Sequence, residues 1–159
     1  RNGPRCNCGN IGCWEAIASG VAIARRARER LAAGAPSVLR DMTGGALDKV
    51  DAALVAQAAR GKDAVACALL KEVARDLGVG IVSLVHVFNP ELVIIGGGVG
   101  RDWPLLRPVT EPYVRTHAMP VMRRRLKLVT SALGDDAGLV GAAALVFDRE
   151  AAESGSSAV

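Results

Sequence analysis

The chain has 159 residues; 50% are hydrophobic, only 3% aromatic and 23% charged. That length fits one domain or part of one, the core must be aliphatic, and a charged share near the globular norm of about 25% excludes general disorder. The net charge is +4 from 20 Lys and Arg against 16 Asp and Glu. The basic side chains gather in two runs, Arg25-Arg26-Arg28-Arg30 and Arg123-Arg124-Arg125-Lys127. They are too dispersed for a nucleic-acid footprint and read as solvated faces, with steering of an anionic substrate as the lesser alternative.

The longest apolar stretch, Leu77 to Phe88, has 12 residues and contains Gly78, Gly80, Ser83 and His86. A membrane span needs about 20, so the chain is expected to be soluble and cytoplasmic. It opens Arg1-Asn2-Gly3-Pro4 with no Met and no apolar run behind it. We therefore expect a piece of a longer protein.

In chain order, residues 1–13 are irregular, and Trp14 to Ala33 has helical spacing through Ala16, Ile17, Val21, Ala24, Ala27 and Leu31. Gly34 and Pro36 end it, and residues 35–48 form a loop. A short helix covers Asp51 to Ala59. The longest helix runs from Asp63, a good N-cap, to Phe88. Its stripe is Val65, Leu69, Val73, Leu77, Ile81, Leu84 and Phe88. Gly78 and Gly80 interrupt that helix, costing roughly 1 kcal/mol each against Ala, or else permit close packing. Asn89-Pro90 stops it.

Leu92-Val93-Ile94-Ile95 before Gly96-Gly97-Gly98 predicts a strand buried on both faces, as in a parallel sheet. A second strand spans Leu126 to Thr130. Between them lies a helix from about Leu105 to Ala118, with Pro112 expected to kink it or delay its start. A last helix begins near Asp135-Asp136 and passes Leu139, Val140, Ala143, Ala144 and Phe147. Residues 1–148 form one unit, and 149–159 read as a frayed tail. The sum is an α/β fold.

The chemistry sits at the front. Cys6, Cys8 and Cys13 lie within eight residues, interleaved with Gly9 and Gly12, so the chain can curl until three thiolates converge. Zinc takes four ligands at about 2.3 Å to sulfur. A disulfide or free thiols compete with that reading, though Cys6 and Cys8 are too close for an easy bridge. Cys67, His86 and His117 are weighed as a fourth ligand and set aside: Cys67 reads as a small core residue, His86 as a satisfied boundary histidine, His117 as exposed.

The run Cys6-Asn7-Cys8-Gly9-Asn10-Ile11-Gly12-Cys13-Trp14-Glu15 resembles the C-x-C-G-x-x-G-C-x-E motif of the ROK family, which contains sugar kinases and sugar-responsive transcriptional repressors. The stretches Asn89 to Gly98 and Leu133 to Ala143 resemble its later landmarks, so the likeness covers about residues 2–148. It implies an actin-like, ribonuclease-H-like ATPase fold, of which this chain is most of the C-terminal lobe. It also implies that the phosphate loop, the catalytic Asp and the His completing the zinc site lie upstream. No catalytic residue is then expected here, and the fragment alone should catalyse nothing.

On that resemblance Cys6, Cys8 and Cys13 hold a structural zinc. Glu15 accepts hydrogen bonds from sugar hydroxyls; its bland alternative is a helix-start carboxylate facing the dipole. Gly96, Gly97 and Gly98 let backbone approach a nucleotide, or simply make a tight strand-to-helix turn. There is no phosphate-binding G-x-x-x-x-G-K-[ST]. The expected activity is ATP- and Mg²⁺-dependent phosphorylation of a hexose, foremost glucose to glucose 6-phosphate. The alternatives are a repressor's sugar-sensing domain, which alone would involve nucleic acid, and a ligand-free zinc-stabilised module. A homodimer or larger homo-oligomer is expected, with apolar surface left bare where another lobe would pack.

Overall fold

The computed structural model describes residues 3–155, with side chains through Phe147 except that of Asp135. The helix expected over Trp14 to Ala33 is two: α1 (Trp14–Ala18) and α2 (Gly20–Ala32). Ser19 divides them. Its backbone is extended and its Oγ accepts from the Ala22 N–H at 3.3 Å, so it caps α2 and ends α1. The apolar spacing carried across this break and hid it.

The expected loop over 35–48 contains a helical turn, α3 (Leu39–Met42), and most of a 3₁₀ turn at Leu47–Lys49. Leu39 is fully buried and pulls that turn onto the core. Then come α4 (Ala52–Arg60), capped by Asp51, and α5 (Ala64–Phe88), capped by Asp63. Asn89 closes α5 in the left-handed conformation ahead of Pro90.

Helix α5 is the axis of the fold, and α1, α2 and α4 pack against it. Its buried residues include Leu69, Leu70, Val73, Ala74, Leu77, Ile81 and Val85. The expected stripe holds through Ile81 and then fails, because Leu84 and Phe88 face outward. The arginine run of α2 also departs from a solvated face. Arg26 bridges Glu72 and Asp76 of α5 at 2.7 and 2.8 Å, and Arg30 reaches Glu72 at 2.6 Å.

Strand β1 (Leu92–Ile95) pairs in parallel with β2 (Lys127–Thr130), Leu92 opposite Lys127 and Ile95 opposite Thr130. The crossover passes through α6 (Gly97–Arg101), α7 (Trp103–His117) and α8 (Pro120–Arg123). Helix α7 lies along α5, with buried Thr110 donating to the Ala74 carbonyl at 2.9 Å. It starts before the expected Leu105 and runs unbroken past Pro108 and Pro112. Pro104, Pro108 and Pro112 are four apart on its exposed side, so carbonyls deprived of a donor can turn to water.

Burial of β1 on both faces is not found: Leu92 and Ile94 are exposed, and only Ile95 is buried. The described residues supply layers for one face of the sheet only. The last helix, α9 (Ala137–Gly155), begins after a 3₁₀ turn at Gly134–Asp136 and exposes Leu139, Leu145 and Phe147. Its backbone continues through much of the expected tail, and 156–159 lie outside the described residues. Among the described residues no helix is long and apolar enough to cross a membrane.

Candidate functional site

The cysteine loop is shaped by its backbone. Arg5 and Ile11 form an antiparallel bridge, Cys6 N–H donates to the Asn10 carbonyl at 2.8 Å, and Gly12 N–H donates to the Pro4 carbonyl at 2.9 Å. Gly9 and Gly12 sit at φ 91° and 76°, where side chains are strained. A Cβ at Gly3 would fall 2.5 Å from the Gly12 Cα, so the strands of this turn touch backbone to backbone.

The result is convergence. The Sγ atoms of Cys6, Cys8 and Cys13 lie within 4.8 Å of one another, with Cys8 and Cys13 at 3.6 Å. Bonds of about 2.3 Å at tetrahedral angles put sulfurs about 3.8 Å apart, so the cluster fits a thiophilic ion of zinc's size. Cys6 is buried, Cys13 half-buried and Cys8 exposed. A backbone hydrogen bond from Asn10, then the neighbouring thiols, hold the Cys8 thiol below its ordinary value. Cys13 is pushed up to about 11, chiefly by its hydrogen bond to Cys8.

None of the three weighed fourth ligands joins the cluster. Half-buried Cys67 points its thiol at the Ala59 carbonyl, His86 accepts from the Met119 N–H, and exposed His117 stacks on Tyr113.

Glu15 belongs to the same construction. It stands in the first turn of α1, and its Oε2 accepts from Cys6 Sγ at 3.7 Å. It lines a cavity of about 350 Å³ whose walls include Trp14, Leu77, Ile81, Val93, Val99 and Gly96. The first glycine of the triplet therefore shares a space with the carboxylate. The other two do not. Gly97, at φ 61°, opens with Gly96 onto a second cavity of about 210 Å³ beside Thr130 and Ser131. Gly98 opens onto a third, of about 520 Å³, between α2, α4 and the start of α7. The triplet is a strand-to-helix turn, and at the same time the junction of three cavities.

Sequence reasoning missed Thr130 and Ser131. Their signal lay in the parallel pairing, since ligand-facing loops gather at the carboxyl ends of parallel strands, and β1 and β2 end side by side. It also missed the part played by Trp14, whose indole N–H donates to the Asp76 carbonyl at 3.1 Å.

Comparison with known proteins places this α/β unit in a family. The chain belongs to the ROK family, whose pattern it matches over residues 1–149. It is 38% identical over 148 residues to a glucokinase of Thermotoga maritima, covering 93% of this chain and 46% of that protein. It is 34% identical over 144 residues to the DNA-binding transcriptional dual regulator NagC of Escherichia coli, covering 91% of this chain and 34% of that protein. A ROK family glucokinase from Streptomyces griseus, solved in complex with glucose and AMPPNP, superposes with a TM-score of 0.80 at 35% identity, over 91% of this chain and 47% of that one. The fold is thus the actin-like one of the ROK sugar kinases, present in part. The chain spans about half the length of the curated glucokinases it matches.

Proposed function

We propose that this chain is the C-terminal lobe of an ATP-dependent hexose kinase, foremost one that converts glucose to glucose 6-phosphate in the cytoplasm. The observation that carries the reading is the position of Glu15. Its carboxylate adjoins the sulfur cluster and lines the cavity that ends at Gly96. A fixed carboxylate accepts from two neighbouring hydroxyls of a sugar, while the backbone of Gly96, Gly97 and Gly98 admits the nucleotide close by.

Cys6, Cys8 and Cys13 would hold zinc, which when bound cross-links a loop that has almost no apolar core; an all-thiolate face of this kind serves structure. Glu15, two residues beyond Cys13, is oriented by that loop. Phosphoryl transfer depends on positioning and on neutralising phosphate charge, to which Mg²⁺ accompanying ATP contributes. We assign no proton acceptor within this chain. Likeness to a ROK glucokinase solved with glucose and an ATP analogue supports the reading.

Likeness to NagC sustains a second one, a repressor's sugar-sensing domain. Coupled turnover of ATP by the intact protein against a panel of hexoses separates the two. Glucose phosphorylation is expected, with Glu15→Gln raising KM for the sugar by about 100-fold. Sugar binding that releases DNA without ATP turnover would give the repressor reading instead. A homodimer or higher homo-oligomer is part of the proposal, and light scattering on the intact protein reads it directly.

A further inference from the structure

The five residues of α1 are too few to form a stable helix alone. The helix is held from outside at three points. Arg25 of α2 donates to the Ala16 carbonyl at 3.3 Å, and Arg26 donates to the Ile17 carbonyl at 3.4 Å. The third point is Trp14, one residue before Glu15. Its indole lies in a notch of α5 at Gly80, where a Cβ would fall 2.0 Å from Cε2, 2.3 Å from Cζ2 and 2.4 Å from Nε1. The indole N–H donates at 3.1 Å to the carbonyl of Asp76, one turn earlier in α5. The carboxylate of Asp76 is in turn held by Arg26 at 2.8 Å. Gly80 therefore does more than weaken a long helix. A Cβ there overlaps the ring, so a larger residue requires the indole to shift from this seat.

We propose that Trp14 and Gly80 form a lock that sets Glu15 for the sugar, making both of them positioning residues; the inference rests on the sugar-binding role proposed for Glu15. In the sequence Trp14 stands between Cys13 and Glu15, and it shares a cavity wall with Glu15. Seating the ring fixes the rotation of α1 about its axis, and so the direction in which the neighbouring carboxylate leaves the helix. The metal loop meets α1 at its start, through Cys13 and the 3.7 Å contact of Cys6 Sγ with Glu15 Oε2, and leaves the rest of the helix to the lock.

The test is a double-mutant cycle in the intact protein, scored on KM for glucose, KM for ATP, kcat and bound zinc. Gly80→Ala is expected to raise KM for glucose on the order of 10- to 100-fold, the scale of an ångström-sized misplacement. KM for ATP and zinc content should stay in place. Trp14→Ala should give a similar rise, and the double variant should be no worse than either single one, because both remove the same contact. Trp14→Phe, which keeps a ring but loses the N–H, should fall between. If Gly80→Ala does not fold, the Trp14→Ala and Trp14→Phe pair asks the same question. Additive effects, or an unchanged KM for glucose in Gly80→Ala and Trp14→Ala while Glu15→Gln is impaired, overturn the lock. An unchanged KM in Glu15→Gln itself removes the sugar role of Glu15, and the inference with it.

Discussion

Residues 3–13 and the helices around α5 share one fold but keep their shapes by opposite means. In the first region only Cys6 is buried, and the geometry comes from backbone hydrogen bonds, two left-handed glycines and converging thiols. In the second, α5 buries a continuous face from Ala66 to Val85 against α1, α2, α4 and α7. The body gains stability from removing aliphatic surface from water. The loop has little such surface to remove, so its order depends on local bonds and on whatever the sulfurs bind. The side chain proposed to meet the sugar projects from the seam between them. Stability and site geometry should therefore respond to different substitutions.

The largest separation is expected from the core. Leu69 is fully buried in α5, and Leu69→Ala should destabilise the intact protein by about 2–5 kcal/mol. The denaturant midpoint reports the loss, and zinc content of the folded fraction should not change. Zinc lost in proportion to stability would show that loop and body are one cooperative unit.

The converse substitution is Cys13→Ser. It should empty the metal site and lower sugar affinity by about 100-fold through a displaced Glu15. The thermal midpoint of the helical body should move little, since Cys13 lies outside the buried core. Elemental analysis with sugar titration by calorimetry checks both halves. Full sugar affinity in a metal-free protein would detach the carboxylate from the loop.

The sequence disclosed the two regions unequally. The cysteine spacing disclosed the cluster, because ligand-forming side chains and turn glycines are legible one by one, while Glu15 was singled out by the resemblance to the ROK family. Periodicity disclosed α4, α5 and both strands for the same local reason. It failed at Ser19, where an N-cap falls inside an unbroken apolar rhythm, and at Leu39, which makes its short turn by burial against distant elements. It failed for Leu84, Phe88, Leu92 and Ile94, whose side chains look like core yet meet no layer among the described residues. The notch at Gly80 was legible as a cost to helix formation or as room for close packing, but not its occupant. That Trp14 fills it is a contact across 66 positions of sequence, which no local pattern encodes.

The smallest effect lies where α2 meets α5, and it sharpens the comparison through pH. Hydrogen bonding from Arg30, aided by its charge and by Arg26, holds the Glu72 carboxyl below the usual carboxylate range. A group whose folded value is depressed contributes stability in full above its unfolded value and loses it as pH falls through the folded one. The Glu72 side chain is 43% exposed, which limits each guanidinium contact to roughly 0.2–1 kcal/mol. Urea midpoints from about pH 6 down to pH 3 should thus fall less steeply in Glu72→Gln than in the parent protein. At neutral pH the variant should be slightly the weaker, and the two curves should approach one another in acid. Bound zinc at neutral pH should be the same in both proteins, because Glu72 fastens α2 to α5 through Arg26 and Arg30. Parallel curves would mean that the pairing contributes nothing and that apolar packing alone joins these helices.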